Sequence, residues 1–235
     1  IPSRGTGLGS SSAVTVGLLN ALHSFAGNQV SPEELAEQAC KIEIDVLGQP
    51  IGRQDQYGCA MGGINHIKFL PDDSVEVEAL EISKDTINKM EDEFTLLYTG
   101  LTRSADSVLK EQSENTSEKI AQLQLMCAQA KTAKALLQNG DLEGLGKLLH
   151  EGWLLKKQLS SSVSIPEIDS LYQTILDCGA TGGKLLGAGG GGFILFHGSL
   201  DVRQRIAQAL PNNQMLPLKV ERNSTRIIFD SSNLE

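Results

Sequence analysis

Two carboxylates and two glycine clusters are the groups in this chain whose type and spacing could do chemistry. Glu43 and Asp55 stand twelve residues apart in the segment IEIDVLGQPIGRQDQYG. Phosphoryl transfer needs a metal ion to neutralise phosphate oxygens and a carboxylate near the attacking hydroxyl, and two separate acids can divide those tasks. An exposed Glu and Asp also suit a solvated face, so the pair alone leaves both readings open. Arg53, two residues before Asp55, could depress the pKa of that carboxyl or hold a transferring phosphate, and a plain surface role is the alternative.

The chain opens on IPSRGTGLGSSSA, in which Gly5, Gly7 and Gly9 alternate before Ser10, Ser11 and Ser12 lead into a helix. Glycines allow a backbone to approach a ligand, and a helix N-terminus offers unpaired N–H groups with a positive dipole end. That combination suits a phosphate, with Leu8 and the flanking glycines around it. Any of the three serine hydroxyls could also ligate magnesium. The spacing is neither a Walker motif nor the dinucleotide fingerprint, and a Gly/Ser linker is the competing reading. The second cluster, GGKLLGAGGGGFILF, sets Gly189, Gly190, Gly191 and Gly192 directly before an apolar strand. A loop without side chains there lets two backbones touch.

Taken together, these motifs resemble the GHMP (galactokinase, homoserine, mevalonate, phosphomevalonate) kinases. The pattern P-x-x-G-x-G-L-G-S-S-S-A resembles their second, ATP-binding motif. The run Glu43, Gly48, Pro50, Gly52, Asp55, Gln56 is similar to a galactokinase arrangement, and the Gly189–Gly192 run resembles the third motif. The resemblance implies that Gly5, Gly7, Leu8, Gly9 and the serines wrap the nucleotide, with Ser11 and Glu43 on magnesium and Asp45 as the fallback. It implies that Asp55 orients or deprotonates the acceptor hydroxyl, and that Gly189, Gly190 and Gly191 shape the site over the nucleotide loop. YTGLTRSADSVL, GWLLKKQLS and IPEIDSLY further resemble the heptose 7-phosphate kinase branch, which phosphorylates an anomeric hydroxyl. Arg103, Lys156 and Lys157 are, by charge alone, candidates for a phosphate already on the substrate. Other acceptors (galactose, fucose, mevalonate) and a nucleotide-binding protein without turnover are the competing functions.

Composition bounds the rest. Hydrophobic residues are 40% and charged residues 21%, ordinary for a globular protein. Twenty basic against 29 acidic residues give a net charge of -9, which argues against a nucleic-acid partner. Cys40, Cys59, Cys127 and Cys178 show no metal-binding spacing, so reduced thiols in a cytoplasmic protein are expected. No membrane span and no secretory leader is expected. The expected partner is a small sugar or sugar phosphate, with homodimer formation left open.

The elements needed to position these groups can be read from periodicity. Val14, Leu18, Leu19, Leu22 and Phe25 predict a helix over 9–26, capped by one of the three serines. Ser31-Pro32-Glu33-Glu34 opens a second helix running to about Leu47, and Gln49–Gln56 reads as a loop carrying Asp55. A hairpin follows over 63–77 about the turn Pro71-Asp72-Asp73. The second half predicts a strand at Phe94–Tyr98, a helix over 102–138 broken near Ser113–Ser117, and helices at Leu142–Leu159 and from Pro166. A strand at Phe193–Phe196, a helix near Val202–Leu210 and a strand at Thr225–Phe229 complete the reading. The class is α+β. The resemblance adds the GHMP kinase fold: a truncated N-terminal α+β nucleotide-binding domain over 1–82 and a ferredoxin-like α+β C-terminal domain over 83–235. It also implies an absent upstream substrate motif, and hence weak activity of this polypeptide alone.

Overall fold

The computed structural model describes residues 6–102, 109 and 119–229. Gly5, Arg103 and the Ser113–Ser117 break lie outside the described residues. The chain divides into two compact units. One comprises 9–79 and the C-terminal segment from 221; the other comprises 1–8 and 80–220.

The unit built on 9–79 is three helices backed by a hairpin. Helix α1 spans Ser10–Phe25, α2 spans Pro32–Cys40, and α3 spans Gln54–Met61. Their shared core is made of small residues: Ala36, Ala39 and Ala60 are fully buried beside Val16, Cys40 and Tyr57. Small side chains let helix axes approach closely, which later matters for how side chains meet across them. The capping box at Ser31 forms as expected, with Glu34 N–H donating to Ser31 Oγ at 3.2 Å and Ser31 N–H donating to Glu34 Oε2 at 3.0 Å. Strands β1 (Asn65–Phe69) and β2 (Val75–Ala79) pair antiparallel, with Ile67 opposite Val77. Tyr57 meets Phe69 edge-on at 6.1 Å, which ties the hairpin to α3.

Five sequence-based expectations need correction in this unit. The N-cap of α1 is Gly9 in a left-handed conformation (φ 65°), not a serine, because the serine hydroxyls are turned to other partners. The predicted helix face of α1 is also not the buried one. Val14, Leu18, Leu22 and Phe25 are exposed, while Ser12 and Val16 face the core. The second helix does not run uniformly to Leu47: Lys41–Val46 is a π-helical turn, closed by Leu47 N–H on Ile42 carbonyl at 2.9 Å. Asp55 lies in the first turn of α3, not in a loop. Gly58 inside so short a segment hid the helix, and its stability comes from packing against α1 and α2 rather than from propensity. Thr225–Phe229 is likewise not a strand. Thr225 N–H donates to the Ala60 carbonyl at the end of α3, and no described strand pairs with it.

In the other unit, α4 (Lys84–Glu93) is capped by Ser83 and runs straight into β3 (Phe94–Tyr98). Helices α5 (Ile120–Asn139), α6 (Leu142–Lys157) and α7 (Pro166–Asp177) follow. Then come β4 (Gly182–Leu185), β5 (Phe193–His197), α8 (Leu200–Ala209) and β6 (Met215–Pro217). The sheet order is β4-β5-β3-β6, every pair antiparallel. That order is a ferredoxin-like split β-α-β arrangement, with α5, α6 and α7 among the described residues of its first crossover. Strand β4 went unread because Gly182 and Gly183 replace the branched residues a strand favours. Leu97, Ile194 and Leu185 align across the sheet and are fully buried against Trp153, Ile168, Ile175 and Ile206 from the helices. Trp153→Ala should therefore cost about 3–5 kcal/mol, measurable by denaturant unfolding. A loss under about 1 kcal/mol would show that the α6 face does not close this core.

Two buried proton donors predict how stability responds to alkali. Burial pushes the Cys40 thiol up from 9.0 to about 11, with Arg53 opposing and Glu43 adding. Burial also pushes the Tyr172 hydroxyl up from 10.0 to about 12. Both groups hold the proton more tightly folded than unfolded, so this stability is fully present below about pH 9 and is lost as pH rises through 9–12. Cys40→Ala should flatten the fall of Tm between pH 9 and 11, and an unchanged slope would assign the alkaline loss elsewhere.

Candidate active site

The acidic pair falls in the helical unit, and each acid is set by a different local device. Glu43 sits in the π-helical turn that ends α2. The extra residue per turn rotates it inward, where it is 1% exposed, while its neighbours Lys41 and Asp45 face solvent. π-Turns of this sort are frequent at functional sites. Asp45, the fallback metal ligand, is accordingly on the outside.

A buried carboxylate must be hydrogen-bonded or it would be prohibitively costly. Glu43 takes three donors. Ser12 Oγ donates to Oε2 at 2.8 Å and Gln56 Nε2 to the same oxygen at 2.6 Å, while Ser11 Oγ donates to Oε1. The two oxygens differ: Oε2 is held by two side chains that are themselves buried, whereas Oε1 meets Ser11, which is exposed. The Oε1 atom of Gln56 is buried and finds no hydrogen-bond partner among the described residues. An orphaned buried acceptor of this kind costs about 1–3 kcal/mol.

Asp55 is exposed in the first turn of α3 and lies directly against Gly9. A Cβ placed on Gly9 would come within 3.5 Å of Asp55 Cβ and Cγ and 3.6 Å of Oδ2. Cys59, one turn along α3, donates its thiol to the Gly9 carbonyl at 3.8 Å. Burial raises the Cys59 pKa, with Asp55 and Glu43 adding to it, so this thiol stays protonated at neutral pH. Gly9 is also the N-cap of α1 and has no side chain with which to cap it, and the first turn carries no acid. The start of α1, the Asp55 carboxylate and the Ser11–Glu43 pair thus lie together in one unit.

Arg53 is placed differently. Its guanidinium donates to the Asp73 carbonyl at 2.8 Å and lies 5.4 Å over the Phe69 ring, tying α3 to the hairpin turn.

In the sheet-containing unit the glycine run does what a side-chain-free loop allows. Gly187 (φ 69°) abuts Gly7, and a Cβ there would come within 2.5 Å of Gly7 Cα. A Cβ on Gly7 (φ 72°) would lie 2.7 Å from the Leu186 carbonyl oxygen. Gly190 N–H donates to the Val163 carbonyl at 2.9 Å, and a Cβ on Gly189 or Gly191 would strike Val163 or Leu101 backbone. The loop therefore holds the Gly7 end of the opening segment, with exposed Leu8 following. Lys156 donates to the Gly187 carbonyl, and Lys157 pairs with Asp169 at 3.1 Å beside Trp153. The Gly187 tether and the role of Gln56 escaped sequence reasoning. Only the Asp55-Gln56 dipeptide within the quoted pattern signalled the latter.

The donor set at Glu43 fits a hard cation. A carboxylate and a hydroxyl are oxygen ligands of the kind magnesium takes, one or two from protein and the rest from phosphate and water. No cluster of three or more His, Cys, Asp or Glu exists among the described residues, so a self-sufficient protein cage is not what these residues form.

Comparison with known proteins agrees with this architecture. Residues 1–63 match the GHMP kinases N terminal domain and residues 132–215 match the GHMP kinases C terminal domain, together more than half of the chain. A D-glycero-alpha-D-manno-heptose 7-phosphate kinase of Campylobacter jejuni is 32% identical over 217 residues, covering 91% of this chain and 63% of that protein. A galactokinase of Pyrococcus furiosus is 26% identical, covering 88% and 64%. The crystal structure of a D-glycero-D-manno-heptose 1-phosphate kinase from Bacteroides thetaiotaomicron superposes with a TM-score of 0.73 at 26% identity, covering 97% of this chain and 65% of that one. The chain belongs to the GHMP kinase family, with the fold of its N- and C-terminal domains. It spans under two thirds of the length of each of these relatives.

Proposed function

We propose that the protein transfers the γ-phosphate of ATP to a hydroxyl of a sugar or sugar phosphate, the anomeric hydroxyl of D-glycero-D-manno-heptose 7-phosphate being the leading acceptor. The observation that carries this reading is the buried Glu43 carboxylate held by Ser11, Ser12 and Gln56, in the same unit as an exposed Asp55 against Gly9 at the start of α1. Similarity to a heptose 7-phosphate kinase supports the acceptor class.

In this reading the first-turn amides of α1 receive phosphate oxygens, as helix N-termini do. Glu43 and Ser11 would hold magnesium, which when bound would neutralise phosphate charge. Asp55 accepts the proton of the acceptor hydroxyl as its oxygen bonds to the γ-phosphorus and the bond to the leaving ADP oxygen breaks. The left-handed backbone of Gly9 (φ 65°), which other residues rarely adopt, sets the start of α1 against that carboxylate. The soluble substrates imply a cytoplasmic site of action, and no described helix is long and apolar enough to cross a membrane.

The test is ADP release by the natural full-length polypeptide with ATP, magnesium and a panel of sugars and sugar phosphates. Heptose 7-phosphate should give the highest kcat/KM, with galactose, fucose and mevalonate well below it. ATP binding without turnover on any acceptor would overturn the kinase reading in favour of a nucleotide-binding role.

A further inference from the structure

Gln56 is a fully buried amide whose Nε2 reaches Glu43 Oε2 at 2.6 Å and whose Oε1 finds no partner among the described residues. The reverse amide orientation would set Oε1 against the carboxylate oxygen, so the observed one is the orientation the neighbours dictate. An apolar side chain of equal length would fill the same space without stranding an acceptor. A position that tolerates a buried orphan is one kept for something other than packing. What Gln56 does have is a charge-assisted hydrogen bond to one particular oxygen of one carboxylate.

We propose that Gln56 is a positioning residue that, with Ser12, pins Oε2 of Glu43 and so presents Oε1 alone to a divalent cation. This rests on the reading of Glu43 as the magnesium ligand and deepens it. Two buried donors converge on Oε2, while among the described residues Oε1 is shared only with exposed Ser11. A cation arriving beside Ser11 can take Oε1 while both Oε2 bonds persist. Pinned on one side, the carboxylate acts through a single oxygen. Magnesium, which demands near-octahedral geometry with short bonds, accepts that mode, whereas calcium favours the two-oxygen grip. Partners that orient a ligand in this way typically set metal affinity within a factor of 10–100. The π-turn completes the device, since it carries Glu43 into the interior where both donors reach it.

The experiment is calorimetric ATP binding by the natural full-length protein, with magnesium and again in EDTA, for wild type, Gln56→Met, Ser12→Ala and Glu43→Gln. The magnesium-dependent gain in ATP affinity should be lost in Glu43→Gln and reduced about 10–100-fold in Gln56→Met. In Gln56→Met, affinity in EDTA should stay within about twofold of wild type. Ser12→Ala, a small change expected to fold in any case, should reduce the gain in the same sense. Adding Gln56→Met to Glu43→Gln should change it no further. A full magnesium gain in Gln56→Met and Ser12→Ala, with the gain lost in Glu43→Gln, would overturn the positioning role and leave the metal reading standing. Equal weakening with magnesium and in EDTA would reduce Gln56 to a packing residue. No magnesium gain in wild type, or an unchanged gain in Glu43→Gln, would instead overturn the metal reading itself.

Discussion

Asp55→Asn should lower kcat by about 10²–10⁴-fold, the usual worth of a positioned general base, while leaving ATP affinity and Tm close to wild type. The separation follows from where the residue sits. Asp55 is exposed and lies against Gly9 at the start of α1. The amide keeps the shape and can still orient a hydroxyl but cannot take its proton. Steady-state kinetics with calorimetry on the same sample separate the two effects. A fall in ATP affinity matching the fall in kcat would make Asp55 a nucleotide ligand. Unchanged turnover would remove it from the chemistry.

Gly187→Val should destabilise the sheet-containing unit more than any single change on the surface. Its φ of 69° lies in the left-handed region, which a β-branched residue enters at a cost of about 1–3 kcal/mol. Steric conflict adds to that, because the new Cβ would come within 2.5 Å of Gly7 Cα, a backbone atom that cannot swing aside. The expected outcome is a loss of about 3 kcal/mol or more, placing it among the large mutational effects. Gly17, which has open space around the site of a Cβ, is the control: Gly17→Ala in the exposed part of α1 should raise stability slightly. Equal behaviour of the two variants in thermal unfolding would show that the Gly187–Gly7 contact bears no load.

Much of this was legible in the sequence because it depends on local signals. Ser31-Pro32-Glu33-Glu34 specified a helix start through hydrogen bonds among its own residues, and the capping box formed. The hairpin about Pro71-Asp72-Asp73 was readable from alternation, and Gly140 closed α5 in a left-handed conformation as a C-terminal glycine should. Asp55 and Glu43 were legible only through the family pattern, since two acids twelve residues apart have no period that would bring them to one place. What stayed hidden depends on contacts between distant residues. Helix α3 is short, contains Gly58 and is held by Ala36, Ala39 and Ala60 packing, so nothing local announced it. The π-turn arises where Glu43 is drawn inward to Ser12 and Gln56, a tertiary event with no propensity signature. Serines suited to capping α1 instead serve Glu43, and the left-handed Gly9 takes the cap position. Thr225–Phe229 had the composition of a strand but no neighbouring strand to pair with among the described residues.

The measurement that bears most directly on the central claim is phosphorus NMR of the natural full-length protein incubated with ATP, magnesium and D-glycero-D-manno-heptose 7-phosphate. The account predicts growth of a second phosphomonoester resonance coupled to the anomeric proton, in step with ADP, absent with Asp55→Asn. Intact ATP, or ATP cleaved to inorganic phosphate with the heptose unchanged, would contradict it.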